Sequence, residues 1–544
     1  MKRIIAPLAG FVLLTVAHAQ GFPQVNPPDG NPITADKVQL GKALFWEEQL
    51  SSTRTVACAS CHLPSAGGGA DPRSALPTST HPGPDGRLGT PDDSHGSPGV
   101  FPTRLGGSYR SVAPFGVDVQ ITRRRAPSVI NKAFSPLLFW DGRAVDRFVD
   151  PEQPTTTVLQ SRAALESQAA GPPVSEVEMS HFGESWTAVA ARIAAAKPLA
   201  LASGIPTALA QFIGTNGYPE LFRRVFGTTD VTPSRILMAI ATYERTLVSD
   251  QAPFDLFRRG NQAALTQQQL RGLGVFMSPN AACITCHREP FFTDNQFHNT
   301  GVRPVNEDPG RFDITNQPRD RGAFRTPDLR NVELRPPYFH NGGARTLAEV
   351  VEFYDRGGDS ADNRDPRIHR LNLSPQQKAD LVAFLQSLTD PRVRAGTAPF
   401  DEMQLFARSP NAPQLYGMPT PGSGNFAPRM LALTPPLLGN PEFSLGVAAG
   451  LGGAPGLLAI DGAGGPPVPV GGAQLFLGLT PAMVVMPPRA LEGAGAGNGF
   501  ATWVFALPGD PTLRGLDLFA QWVVADPGPG RDMAASAATR FRLF

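Results

Sequence analysis

Apolar residues recur at helical spacing through the first three quarters of the chain, and in short runs between turns after about residue 395. Between Thr34 and Leu50, Leu40, Ala43 and Leu44 fall at i, i+3 and i+4 and predict a helix. Gly41 inside it weakens that expectation. Ser234–Leu247 (SRILMAIATYERTL) has the same periodicity, and the SDQAPFD that follows breaks it as a domain boundary would. Asn372–Leu388 reads as a helix with Ser374 as N-cap and Pro375 at N1. Thr346 and Glu349 form the T-x-x-E of a capping box, and Gly357 and Gly358 supply the stop. Between them Leu347, Val350, Val351 and Tyr354 recur at i, i+3, i+4 and i+7, which turns Tyr354 inward and leaves Phe353 off the apolar stripe. In the last quarter AQLFLGL (473–479), FATWVFAL (500–507), LDLFAQWVV (516–524) and TRFRLF (539–544) stand between Gly and Pro and predict a small β-sandwich.

The length of 544 residues suggests about three or four domains. Lys+Arg (48) balances Asp+Glu (47), which argues against a nucleic-acid binder driven by phosphate attraction. Gly and Pro, 56 each, are in excess, and residues 64–122 form a long Gly/Pro-rich insertion. Within it DGRLGTPDDS (85–94) clusters carboxylates but lacks the EF-hand spacing; a solvated loop is the first reading and a Ca2+ loop the alternative. The N-terminus has Lys2 and Arg3, an apolar run, then Ala17-His18-Ala19. This reads as a secretory signal over residues 1–19, with the mature chain starting at Gln20 in the periplasm, or secreted or held at the surface. A retained anchor is the alternative; no later stretch is long and apolar enough for an integral membrane span.

All four cysteines lie in C-x-x-C-H: CASCH (58–62) and CITCH (283–287). Two thioethers to the haem vinyl groups, then an imidazole turned to the iron, require Cys58, Cys61 and His62, and again Cys283, Cys286 and His287, at this spacing. A redox or structural disulfide does not call for the histidines, and a zinc site made of both pairs usually has closer spacing. Two covalently bound c-type haems are the expectation, with His62 and His287 as proximal ligands.

Several stretches together resemble the bacterial di-haem cytochrome c peroxidase family, which includes the methylamine-utilisation protein MauG. They are LGKALFWEEQLSSTRTVACASCH (40–62), RRAPSVINKAFSPLLFWDGRA (124–144), GPPVSEVEM (171–179), FFTDNQFHNTG (291–301), DRGAFRTPDLRNVELRPPYFHNGGARTLAEVVEFYDRGG (320–358) and LSPQQKADLVAFLQSLTD (373–390). The resemblance covers most of residues 34–392. It implies a mainly α chain with two cytochrome-c-like haem domains, 20–250 and 251–395, followed by a β-rich extension, 396–544. By resemblance the haem on His62 reacts with hydrogen peroxide and the haem on His287 transfers electrons. Trp140, in FWDGRA, matches the tryptophan between the haems. Gln168 and Glu178 match the polar pair above the peroxide-binding iron, where a carboxylate moves a proton and an amide orients the peroxide. Tyr354 stands where the peroxidase branch supplies a Met ligand to the electron-transfer haem and the MauG branch a Tyr. A phenolate favours ferric and higher iron, a thioether ferrous iron.

One departure matters. Many family peroxidases carry a blocking His ahead of RRAPSVIN, and FGVDVQITRRRAPSVIN has none. His95 is the nearest upstream candidate, and an open peroxide site without reductive activation is the expectation. His298 and His340 lie in matched segments without a ligand role. The family often holds calcium between its domains. The implied function is that of a MauG-like peroxide-dependent oxidoreductase. Its electrons would come from a small periplasmic cytochrome or cupredoxin, or from a protein substrate. A di-haem oxygenase of the rubber-cleaving kind and a non-catalytic electron carrier are the alternatives; the Gln168–Glu178 pair favours peroxide over both.

Overall fold

The computed structural model describes residues 22–70, 79–527 and 532–544. The expected leader, 1–19, lies outside them, as do residues 71–78 of the insertion.

The N-terminal part is helical. Thr34 caps helix α1 (Ala35–Phe45), its hydroxyl accepting from Lys37 N at 3.3 Å. The helix stops five residues short of Leu50 because the buried Glu47 carboxylate captures nearby donors: Gln49 N at 3.1 Å, Leu199 N at 2.8 Å and the Tyr218 hydroxyl at 2.7 Å. A single 3-10 turn, Glu48–Leu50, follows. Helix α2 (Pro233–Glu244), capped by Thr232, crosses α1. At the crossing a Cβ on Gly41 would stand 1.9 Å from the Ala239 carbonyl oxygen, so only hydrogen fits. Leu40, Leu44, Phe45, Ile236, Leu237 and Ile240 close a core around it.

The next part repeats the plan. Helix α3 (Gln267–Met277) crosses helix α5 (Pro375–Gln386), and a Cβ on Gly272 would meet the Asp380 carbonyl oxygen at 1.9 Å. Ser374 caps α5 with Pro375 next. Between them lies helix α4 (Leu347–Arg356), ended by Gly357 in the left-handed region at φ 84°. Thr346 caps α4, accepting from Glu349 N at 3.1 Å, but the Glu349 carboxylate takes Arg345 N at 2.7 Å, so the expected reciprocal box is not made. Phe254, Phe276, Phe292 and Phe384 fill the second core, most of their ring pairs edge to face and Phe276 tilted on Phe384. No helix among the described residues is long and apolar enough to cross a membrane.

The C-terminal region is sheet-rich. Strands β1 (Arg429–Leu431), β2 (Phe443–Gly452) and β6 (Gly495–Phe505) form an antiparallel sheet with β2 central. In a second sheet β7 (Asp517–Val524) lies between β3 (Pro455–Asp461) and β8 (Ala538–Arg542), Gly456 opposite Val524 and Asp517 opposite Arg542. Strands β4 (Gly464–Val470) and β5 (Ala473–Leu477) form a hairpin. Leu445, Val447, Leu458, Trp522 and Val524 from both sheets share one core. The stretch leading there packs on the first haem-motif region: Val393, Phe400 and Met403 join its core, and Asp401 pairs with Lys42 at 2.5 Å.

The described residues of the insertion pack on the rest of the chain, His95 N donating to Asn341 O at 2.8 Å and Ser65 N to Glu402 at 2.6 Å. Its carboxylates at 85–94 accept from the loop's own groups, Asp92 from Asp85 N at 3.0 Å and Thr90 Oγ1 at 2.6 Å, Asp93 from Gly89 N at 2.7 Å. Farther on, Phe101, Tyr109 and Val117 pack with Leu431, Ala448 and Phe500 of the sheet region.

The two helix crossings carry a stability prediction. Gly272→Ala gains helix propensity but drives a methyl into a backbone carbonyl, and is expected to destabilise the haem-loaded protein by about 1–3 kcal/mol in denaturant unfolding. A more stable variant would mean the helices do not meet there.

Candidate functional site

Two cavities share Trp140 and Arg325 in their walls. The first is lined by Cys58, Cys61 and His62 together with Trp140, Gln168 and Glu178; the second by Cys283, Cys286, His287, Tyr354 and Trp140. Each C-x-x-C-H wraps as one helical turn, with His62 N donating to Cys58 O at 3.0 Å and His287 N to Cys283 O at 2.9 Å. Cysteines and histidine of each motif therefore face one space.

The two cysteine pairs line different cavities, so the four sulfurs do not converge on one metal. Burial pushes the Cys61 thiol up to about 12 and the Cys283 thiol to about 11. Reactive thiolates and thiolate ligands require the opposite shift. Neutral sulfurs beside a buried imidazole on apolar walls fit thioether-bound haem. The imidazoles fit as well. His287 Nδ1 is tied to Phe292 O at 2.8 Å, which leaves Nε2 for the cavity. Burial lowers His62 to about 4, keeping it neutral, and its buried Nδ1 makes no hydrogen bond of good geometry.

In the first cavity the short helix Ala164–Ala169 presents Gln168, and a turn after Val174 presents Glu178. Burial raises the Glu178 carboxyl above its ordinary value, and the charge of Arg143 opposes the shift. Among the described residues His62 is the only histidine on this cavity's walls. His95 is on neither cavity's wall; its N–H donates to Asn341 O at 2.8 Å, against the second half of the molecule.

Trp140 and Arg325 line both cavities. The indole N–H donates to Arg125 O at 2.7 Å, and Arg325 N donates to Trp140 O at 2.8 Å. The His340 ring stands edge-on to Trp140 at 6.2 Å and stacks on Phe324 at 3.6 Å.

Tyr354 opens onto the second cavity with its ring against Phe353 at 5.1 Å. Burial, then the sulfurs of Cys283 and Cys286, hold its phenol well above the ordinary value, against a hydrogen bond with Thr300. A nearby cation is needed to ionise it. Phe353, expected off the apolar stripe, is 2% exposed. It packs at 4.7 Å on Phe339, which lies outside the helix, so a partner that periodicity does not contain covers that face. On the same cavity His298 lies between Asp294 at 2.9 Å and Asp365 at 3.1 Å, and hydrogen bonding raises it to about 9.

Four further polar groups stand on these walls: Lys132, Arg325 and His340, which lie in matched segments but for which the resemblance implies no role, and Glu244, which has no sequence signature. Burial pushes Glu244 up to about 8, and its Oε2 has no partner. Buried, unpaired polar atoms are visible only in three dimensions.

The di-haem cytochrome c peroxidase (MauG) family model matches residues 35–263, and the cytochrome c model residues 271–389. The sheet-rich region lies beyond both. Cytochrome-c peroxidase IdrP1 of Denitromonas iodatirespirans is 30% identical over 437 residues, 72% of this chain and 95% of that protein. Methylamine utilization protein MauG of Methylorubrum extorquens is 31% identical over 363 residues, 66% of this chain and 80% of that protein. Cytochrome c551 peroxidase of Nitrosomonas europaea is 30% identical over 362 residues, 66% and 81% respectively.

Separate cavities predict separate loading. Replacing Cys283 and Cys286 by alanine is expected to remove one covalent haem and retain the other, read by intact mass and haem staining. Loss of both would show the attachment sites to be interdependent.

Proposed function

Since the chain belongs to the di-haem cytochrome c peroxidase family, and so is a peroxide-reactive oxidoreductase with two c-type haems, we propose that it works in the MauG manner, with Tyr354 as a haem ligand. The observation that carries this is the placing of Gln168 and Glu178 in the His62 cavity while Trp140 borders both cavities. The haems supply iron that binds peroxide in the first cavity and exchanges electrons in both.

The protein's own groups do the rest. Glu178 as carboxylate takes the proton from the inner peroxide oxygen and returns it to the outer one as the O–O bond breaks. Gln168 holds the peroxide in line by its amide. Leu138, Leu165 and Met179 on the same walls limit water there. His62 is the one histidine among the described residues of those walls, so no second imidazole there would compete with peroxide for a haem that His62 held. Trp140, fixed by Arg125 O and Arg325 N, is the path for an electron or hole between cavities. In the second cavity His287 and Tyr354 would hold the haem iron; the phenol would release its proton to solvent on binding, and as phenolate would favour the oxidised state. Export by the leader 1–19 places this chemistry in the periplasm. The donor is a small cytochrome, a cupredoxin or a protein side chain.

Two outcomes test the reading. Because Glu178 acts deprotonated and its pKa is raised, the peroxide rate of the diferric protein is expected to rise with pH through a midpoint above the ordinary carboxylate value. Glu178→Gln should lower the rate about 10²–10⁴-fold and abolish that midpoint in stopped-flow measurements. Next, the visible and near-infrared spectrum of the diferric protein is expected to change at both haems together on adding one equivalent of peroxide, with a new near-infrared band. A protein that reacts only after one-electron reduction is a reductively activated peroxidase, and Tyr354 is then not a ligand.

A further inference from the structure

The sheet-rich region is tied to the first cavity by the insertion. Residues 97–100 and 120–122 run side by side: Gly99 N donates to Gln120 O at 2.8 Å, Gln120 N to Val100 O at 2.9 Å, and Ser97 and Thr122 line the cavity. This ribbon presses on the turn that carries Glu178. Val100 N donates to Val177 O at 3.3 Å. A Cβ on Gly99 would stand 1.8 Å from Val177 O and 2.9 Å from Glu178 Cα. From the other side Ser52 N donates to Met179 O at 2.9 Å, and Arg54, two residues on, pairs with Glu442 of the sheet region at 3.1 Å.

The outer end of the same insertion is embedded in the sheet. Tyr109 is 1% exposed, and its ring lies so near β2 that a Cβ on Gly446 would meet it at 2.6 Å. Tyr109 N donates to Thr502 Oγ1 on β6 at 3.0 Å, and Arg104 pairs with Glu492 at 2.7 Å. The turn itself is tied at Ser175, whose carbonyl accepts from Glu178 N at 3.2 Å, Met179 N at 3.0 Å and Ser180 N at 2.9 Å, so the ribbon and Ser52 fix where the whole turn sits.

We infer that the sheet-rich region is a brace that acts through the insertion to hold Glu178 in place over the first cavity. Gly99, Val100, Tyr109 and Gly446 are positioning residues; none reaches the reacting atoms. The inference rests on the reading that Glu178 moves the peroxide proton.

A double-variant cycle on the haem-loaded full chain tests it. Gly446→Val wedges the Tyr109 ring, and is expected to slow the peroxide reaction of the diferric protein by about tenfold to a hundredfold, the cost of misplacing a reacting group by about an ångström. Haem content and the reduction potential of the second haem should not move. In the Glu178→Gln background the same substitution should cost nothing further, because the group it displaces is gone. Equal losses in both backgrounds, or no loss in either, overturn the brace. If Gly446→Val fails to retain haem, Glu442→Gln runs the same cycle at the rim of the contact, where a loss confined to the Glu178 background supports the brace and any other pattern overturns it. A wild-type protein that ignores peroxide in every state defeats the functional reading first, and the brace with it; one that reacts while the cycle is additive defeats the brace alone.

Discussion

Both haem-motif regions depend on one kind of contact, the approach of two helix backbones to a distance that only glycine allows. At Gly41 helix α1 lies against the Ala239 carbonyl, and at Gly272 helix α3 lies against that of Asp380. From those crossings α2 turns Ile240 and Glu244 toward the first cavity, and α5 turns Leu381 and Leu385 toward the second. A side chain at either glycine would push the helices apart and move a cavity wall with them. The gain in dispersion and burial along the helix pair outweighs the backbone entropy and weak propensity of a mid-helix glycine.

The two halves are then locked to each other by buried charge. Lys132 and Asp328, one from each half, form an ion pair with side chains 5% and 3% exposed. Burial lowers Lys132 to about 8 even beside the carboxylate. Arg124 reaches Asp141 at 2.7 Å and Asp308 at 2.6 Å, again spanning the halves. Such pairs add little net stability once desolvation is counted, but they penalise every arrangement that separates the partners. What they fix is the relative position of the cavities, and so the placing of Trp140 against both.

The two attachment motifs were legible in the sequence because C-x-x-C-H is local, whereas Trp140, Gln168, Glu178 and Tyr354 stood out only through the family resemblance; all of them line the two cavities. The helices with a polar cap and an apolar stripe were legible because that signal is local too, as were β6 and β7, rich in Phe, Trp and Val. Strand β2, FSLGVAAGLG, was not: glycine and alanine carry little strand preference, and it is held by the neighbours it pairs with on either side. Strand β4 holds Pro466, Pro467 and Pro469 and reads as a loop until its hairpin partner is seen. Gly41 looked like a flaw in a helix and is its closest contact. The insertion read only as a Gly/Pro-rich stretch because its partners are remote, Arg104 and Glu492 being 388 positions apart. No periodicity reports such a contact.

Identical attachment motifs stand in unlike surroundings, and the difference assigns the work. The first cavity has two carboxyl groups held protonated more readily than usual, Glu178 and Glu244, each because burial disfavours its charge. A carboxyl whose charge burial disfavours is better placed than an ordinary one to hold a proton and return it. Around the second cavity the carboxyls are pulled the other way. The Arg367 hydrogen bonds hold Asp365 at about 2, and hydrogen bonding to His298 outweighs burial and brings Asp294 to about 2 as well. Those groups have no proton to give, and His298 between them keeps its own up to a pKa of about 9. In the proposed reaction, proton-coupled bond breaking falls to the side of His62. In the same proposed reaction the side of His287 exchanges electrons through Trp140, which is a division of labour that these surroundings suit.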